Sequence, residues 1–301
     1  MFKHFLVPLD GSRLAEAALP AAAFLADKLD ARVTLFHVVE KNAPSEVHGQ
    51  PHLRNAEEAA DYLHLLAQRA FPPGIVVDCH VHATEADDVA GSIVAHADEL
   101  EHDLVIMCSH GRGQALHLFL GSIAQKAIAL GSRPVLITHP DAKGGAPPFA
   151  CNNILIPLDG EPDHALALPV SEEIARACGA ALHLMTVVPR FASLSGAAKV
   201  SSRMLPATTS RMLEMAFQDT REIFREQVES LRRRGFAASA HVLRGDPAKT
   251  IAQAASQTGV DLVVLATHGK TGMEAFWAGS VAHRICTLSK ISLLLIPLPK
   301  A

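Results

Sequence analysis

The strongest constraint on this chain is that it repeats itself. The segment HFLVPLDGSRLAEAALPAAAFLADKLDARVTLFHVV at 4–39 aligns without gaps to NILIPLDGEPDHALALPVSEEIARACGAALHLMTVV at 153–188, with 13 identities in 36 positions. Pro8, Asp10, Gly11 and Pro20 fall on Pro157, Asp159, Gly160 and Pro169. A second block, DLVIMCSHGRGQALHLFLGSIAQ from Asp103, returns as DLVVLATHGKTGMEAFWAGSVAH from Asp261. The offset grows from 149 to 158, so the second copy carries nine extra residues between its blocks. Such self-similarity means duplicated units, each with its own apolar core. The stretch HPDAKGGAPPFAC at 139–151 has the Gly and Pro content of a linker. Domains are therefore expected at 1–142 and 151–301, joined by residues 143–150.

Each copy reads in the same order. A short apolar strand ends at Asp-Gly, an Ala-rich helix follows, and RVTLFHVV forms a second strand. A helix over 55–69, the alternating strand GIVVDCHVH, a helix near 87–100, the strand DLVIM, a helix from Gly121 and the strand PVLIT complete the unit. In the second copy a longer helix spans about 210–234, with Met212, Met215, Ile223, Phe224, Val228 and Leu231 on one face, as a core stripe would be. Strands alternating with helices imply an α/β fold with a parallel, doubly wound, Rossmann-like sheet in each half, and no one sheet running through both. Hydrophobic residues make up 49% of the chain and aromatics only 5%, which suits helix-on-sheet layers built from Ala, Val, Ile and Leu. The copies are expected to differ chiefly at 40–54 and 189–208. The last strands, PVLIT and SLLLI, are apolar enough that each is expected to be buried by its counterpart in an internal pseudo-dimer, with a homodimer as a further level.

Charge and composition narrow the function. A net charge of −4 gives no general attraction to nucleic acid or acidic membranes, and no run approaches 18 apolar residues. The N-terminal apolar run is short and broken by Asp10, unlike a secretory leader. Five cysteines, odd in number and without a CxxC pair, fit reduced thiols. A cytoplasmic location is the expectation. Seventeen histidines invite a metal, but neither His80 with His82 nor His48 with His52 reaches a ligand set at clear spacing, and none is expected. LRRRGF at 231–236 closes a helix, where cations suit the dipole.

Two distant blocks converge on one place. In a doubly wound sheet, ligands sit beyond the carboxyl ends of the strands, where strand order reverses. Asp10 and Asp159 lie at that edge after strand one, and the segments from Ser109 and Thr267 lie there after strand four. Gly121-Ser122 and Gly279-Ser280 each open a helix, whose first N–H groups and dipole suit an anion. Gly111 and Gly269 permit a turn, and Arg112 and Lys270 supply local positive charge. Gly-Ser is equally an ordinary helix start, and both readings remain open on spacing alone. Neither GxxxxGK[ST] nor a GxGxxG after the first strand is present.

With these residues in view, the chain resembles a tandem universal stress protein over nearly its whole length. Nucleotide-binding members of that family, whose fold belongs with the adenine nucleotide alpha hydrolases, carry G-x2-G-x9-G-[ST] after strand four. Here the pattern is Cys108, Gly111, Gly121, Ser122 and Ala266, Gly269, Gly279, Ser280, so three of four positions match in each copy. The resemblance gives Asp10 and Asp159 to the adenine or ribose and Val38 and Val187 to the face of the base. It implies binding of ATP or another adenine nucleotide, with or without Mg2+, by a stress-linked sensor with an unidentified protein partner. The first glycine is replaced in both copies, a cost of about 1–2 kcal/mol if that backbone needs positive φ. Glu161, in the place of Ser12, puts a carboxylate near the second loop. His110 and His268 recur in the loop as residues that orient it. No nucleophile–base pair emerges, so no catalytic residue is assigned. The alternatives are an interaction scaffold of the same fold that binds no nucleotide, and a slow ATP hydrolase.

Overall fold

The computed structural model describes residues 1–41, 46–47, 50–109, 120–160, 165–188, 206–267 and 281–298. In the first copy the strands are β1 (His4–Pro8), β2 (Arg32–Glu40), β3 (Val77–Ala86), β4 (Leu104–Cys108) and β5 (Val135–Thr138). Helices α1 (Leu19–Leu29), α2 (Ala56–Ala70), α3 (Val89–Glu99) and α4 (Ser122–Leu130) connect them. The second copy gives β6 (Asn153–Pro157), α5 (Ala167–Cys178), β7 (Ala181–Val188), α6 (Pro206–Arg233), β8 (Ala238–Arg244), α7 (Pro247–Gln257), β9 (Leu262–Thr267), α8 (Val281–Leu288) and β10 (Ser292–Pro297). Central strands are buried on both faces, as a parallel sheet between helices requires: Phe5, Leu6 and Val7 have no exposed surface. Short polar side chains start several helices. Asn55 accepts from Glu58 N–H at 2.9 Å before α2, and Asp246 accepts from Lys249 N–H at 3.0 Å before α7.

The chain divides into two compact units, residues 1–150 with 266–301, and residues 151–265. Within the first, strand order is β10-β5-β4-β1-β2-β3, and every pair made in this sheet by first-copy strands alone is parallel, while Glu46–Val47 and Gln50–Pro51 form a separate antiparallel pair. Within the second it is β8-β7-β6-β9, again parallel. Both show the same reversal of order beside the first strand of the copy, the topological switch point of a doubly wound sheet.

Strand β10 corrects one expectation. It pairs antiparallel with β5, Leu294 opposite Leu136, so the second copy's last strand belongs to the first copy's sheet, against the expectation of a separate sheet in each copy. Each strand would otherwise leave an apolar edge of unpaired N–H and C=O groups, and each covers the other as the burial argument anticipated. Two copies of one strand meeting edge to edge run antiparallel.

The stripe on α6 also behaves differently from the expected core face. Phe224, Val228 and Leu231 are buried, but Met212, Met215 and Ile223 are exposed. The covered face runs through Leu213, Phe217, Thr220, Phe224, Val228 and Leu231 at spacings of three and four, and Met212, Met215 and Ile223 lie about 100° or more around the helix from its centre.

A recurrent carboxylate pins the two central strands of each copy at their feet. Asp103 accepts from Lys3 N–H at 2.5 Å and His4 N–H at 3.0 Å. In the second copy Asp261 accepts from Asn152 N–H at 2.6 Å and Asn153 N–H at 2.9 Å. Beyond this staple β1 and β4 share only Phe5↔Leu104 and Leu6↔Val105, and β6 and β9 only Ile154↔Leu262 and Leu155↔Val263. Hydrogen bonds to a charged acceptor contribute about 1.5–3 kcal/mol each when well made. Asp103→Ala and Asp261→Ala should each lower unfolding free energy by about 2 kcal/mol in urea titrations. A change below about 0.5 kcal/mol would remove the staple from the stability of the fold.

His102, at the same edge, has no exposed surface and stacks on His4 with ring centroids 3.9 Å apart. Burial, and then the neighbouring His4, push its pKa down to about 4. The folded state therefore keeps His102 neutral, while the unfolded chain protonates near 6.5. Stability from this group is complete above pH 6.5 and is lost as pH falls toward 4, a decline of about 3 kcal/mol. Unfolding measured from pH 7.5 to 4.5 should show that slope in the wild type and a shallower one in His102→Gln. Parallel curves would show that other groups carry the acid sensitivity.

Candidate functional site

The divergence of β1 and β4 above their shared pairs opens a cavity of about 290 Å³ at the carboxyl edge of the first copy's sheet. Its near wall is the end of β1. Asp10 Oδ1 accepts from Ser12 N–H at 2.9 Å and from Ser12 Oγ–H at 2.6 Å, and Gly11 turns the chain at φ +85. This local turn holds the Asp10 carboxylate at the rim. Leu9 N–H donates to Phe36 C=O at 2.8 Å, and His37 Nδ1–H donates to Leu9 C=O at 2.7 Å, tying β1 to β2 at this level.

The opposite wall is the start of α4. Gly121 is its N-cap at φ −60 and ψ 150, and its N–H donates to Ser109 C=O at 2.7 Å. The helix then begins with Ser122, Ile123 and Ala124, all lining the cavity. Among the described residues no side chain caps this terminus. The floor between the walls is apolar, built by Val38, Ile93, Met107 and Cys108. Asp10, Val38, Gly121 and Ser122 thus share one cavity. Gly111, Arg112 and His110 lie outside the described residues.

Charge at the rim is divided. Four carboxylates line it, from Asp10, Glu40, Asp87 and Asp88. Lys126 Nζ meets Asp88 Oδ2 at 2.8 Å, Lys41 Nζ meets Asp87 Oδ2 at 3.3 Å, and His52 Nε2 lies 3.7 Å from Glu40 Oε2. Asp88 also caps α3 by accepting from Gly91 N–H at 2.9 Å, and the Lys126 ammonium holds its carboxyl below the usual carboxylate range. His37 is buried, and burial lowers its pKa, so the ring is neutral near pH 7. Because Nδ1 carries the proton donated to Leu9, Nε2 carries a lone pair, and it meets no partner among the described residues.

Sequence reasoning missed Asp88, Lys126, His37 and Glu40, and weighed His52 only as a metal ligand. Asp88 had a signal, an aspartate before a helical stretch at the end of strand three. Lys126 lies four residues beyond Ser122, one turn into the helix, and only the position of α3 reveals its partner.

The replaced motif glycines cost no backbone strain. Cys108 is the last residue of β4 and Ala266 lies within β9. Among the described residues only Asp30 and Glu101 are non-glycine residues with positive φ. Extended backbone at these positions accepts any side chain.

The second copy repeats the backbone of the near wall. Gly160 turns at φ +89 after Asp159, and Leu158 N–H donates to Met185 C=O at 2.7 Å, as Leu9 does to Phe36. Val187 sits near the end of β7, and Asp246 caps α7 as Asp88 caps α3. Asp159 is exposed, and Thr186 takes the place of His37. Glu161, Gly269, Gly279, Ser280, Lys270 and His268 lie outside the described residues. Among the described residues no group of three or more His, Cys, Asp or Glu is arranged to hold a metal ion.

Comparison with known proteins agrees with this architecture. The model of the universal stress protein family matches twice, over residues 1–139 and 151–297. A universal stress protein of Synechocystis sp. is 33% identical over 139 residues, 46% of this chain and 85% of that protein. Another, from Bacillus subtilis, is 26% identical over 149 residues, covering 48% of this chain and 98% of its own length. Among solved structures, a universal stress protein from Archaeoglobus fulgidus superposes with a TM-score of 0.67 at 15% identity, covering 99% of this chain and 97% of that one. Two matched copies, the switch-point cavity and these relatives lead to one conclusion: the chain belongs to the universal stress protein family, with two of the family's domains in tandem.

Proposed function

We propose that the chain binds an adenine nucleotide, ATP in the first instance, at the carboxyl edge of each copy and acts as a cytoplasmic, stress-linked sensor. The observation that carries this reading is the first-copy cavity, which sets a carboxylate at one wall, a helix start at the other and an apolar floor between them. The base packs on Val38, Ile93 and Met107, and Asp10 accepts from an amino or hydroxyl group of base or ribose. The phosphates lie against the first N–H groups of α4, where the dipole favours negative charge, and Gly111 and Arg112 are assigned to the same phosphates. Ser122 adds a hydroxyl donor. Mg2+ carried by the phosphates would offset the carboxylates of Asp87 and Asp88. In the second copy Asp159, Val187, Gly269, Gly279 and Ser280 take the equivalent roles. Among the described residues no helix is long and apolar enough to cross a membrane, so nothing in them draws the chain from solution on that account. The acidic rim is the specific observation that favours the rival reading, a scaffold of the same fold that binds no nucleotide.

A ligand that binds only the folded state stabilises it by about 2.7 kcal/mol at a hundred times its Kd. ATP with Mg2+ should raise the unfolding temperature, and adenosine should do less, since it cannot use the helix start. Gly121→Val and Gly279→Val each place a β-branched side chain where phosphate oxygens approach, so each should halve the stoichiometry in calorimetric titration while the fold persists. Ligand-free wild type that takes up no adenine nucleotide at millimolar concentration would leave the scaffold reading standing. Phosphate release well above one per site would instead establish hydrolysis.

A further inference from the structure

The second unit brings two cysteines together far from the nucleotide edge. Cys151 immediately precedes the start of β6, and Cys178 is the last residue of α5. Gly179 then turns the chain at φ 71, and Ala181 N–H donates to Asn152 C=O at 2.8 Å. Asn153 and Ala181 are register partners in neighbouring parallel strands. The foot of β6 and the end of α5 therefore meet, which makes Cys151 and Cys178 neighbours. Cys151 is buried at 1% exposure, while Cys178 is half-buried and reachable from solvent.

We propose that Cys151 and Cys178 form a redox-modification site, oxidised by a small-molecule disulfide to an intramolecular disulfide that clips the foot of β6 to the end of α5. The Cys178 thiol loses its proton to water and its thiolate attacks the external disulfide, whose S–S bond breaks to release one small thiolate. Cys151 then loses its proton and attacks Cys178 Sγ in the mixed disulfide, releasing the second small thiolate. The two cysteines are oxidised by two electrons, the external disulfide is reduced to two thiols, and the two protons end on those thiols. Accessibility assigns the order, since only Cys178 can meet the oxidant. The neighbouring Cys178 thiol and burial hold the Cys151 thiol above its ordinary range, so it attacks only once its neighbour carries a leaving group. Closure ties a segment containing β6, the Asp159-Gly160 turn and α5 into one loop, which removes freedom from the unfolded chain.

The test uses the full chain, folded, in glutathione buffers of rising oxidised fraction, quenched by alkylation and mapped by peptide mass. Two alkylatable thiols should disappear together, with a linked peptide joining Cys151 to Cys178 and a gain on the order of 5–10 °C in the unfolding midpoint. Cys178→Ser should lose both effects, and Cys79→Ser should keep them. If Cys178→Ser does not fold, the map of the wild type decides alone. Five intact thiols in a buffer that fully oxidises a small control dithiol, or a linkage between other cysteines, would overturn the proposal.

Discussion

Everything above the sheet depends on the way β1 and β4 are joined below it. The Asp103 carboxylate holds the first backbone N–H groups of β1, and only two register pairs follow before the strands part. Pairing along the full strand would close the carboxyl edge and leave no room between Asp10 and α4. Without this joint the β1–β2 and β4–β5 pairs would have no fixed register to each other, and a slip of one residue turns buried side chains to the opposite face. The staple solves both problems, because it fixes register at one end only. Asp261 does the same work in the second copy, so the duplication has kept the joint as well as the fold.

Much of this was legible in the residues. The duplication, the strand–helix alternation and the convergence of Asp10 with Gly121-Ser122 follow from patterns that local chemistry imposes: apolar runs that end in turn residues, and a glycine before an uncapped helix. What escaped reading depended on partners distant in sequence. The α6 stripe was instead a misread phase: Met212 lies roughly 160° around the helix from Val228, so the 3.6-residue period itself separates the exposed residue from the buried one. Nothing local joins Lys126 to Asp88, which meet only because α3 and α4 pack side by side. The repeated Asp103 and Asp261 were visible as repeats, but their role required knowing that the foot of β1 lies next to them.

The electrostatics of the cavity set a condition on its ligand. Four carboxylates at the rim repel a polyphosphate, and the α4 dipole offers only about half a positive charge in return. Lys126 is already engaged by Asp88, so drawing it to a phosphate would leave that carboxylate without its main cation. On the proposed reading, a divalent cation travelling with the phosphates would resolve the conflict, meeting phosphate oxygens and carboxylates while leaving the Lys126 pair in place. The same reasoning explains why the apolar floor matters. On that reading the base would supply the favourable burial, at roughly 25 cal/mol for each Å² removed from water.

The Asp-Gly turns show what the duplication has preserved and what it has let go. Gly11 and Gly160 have nearly the same positive φ, +85 and +89, a conformation that costs other residues about 1–2 kcal/mol. Around Gly11 a Cβ atom would also meet Leu53 at 2.9 Å, whereas around Gly160 none of the described residues comes within 4 Å. Glycine is therefore required in the first copy by backbone and packing together, and in the second, among the described residues, by backbone alone. The neighbouring side chains have changed accordingly: His37 gives way to Thr186, and half-buried Asp10 to exposed Asp159. Turn geometry survives because one atom too many strains it, while the walls around it are free to vary. The two edges of this chain share a backbone and differ in the chemistry they present.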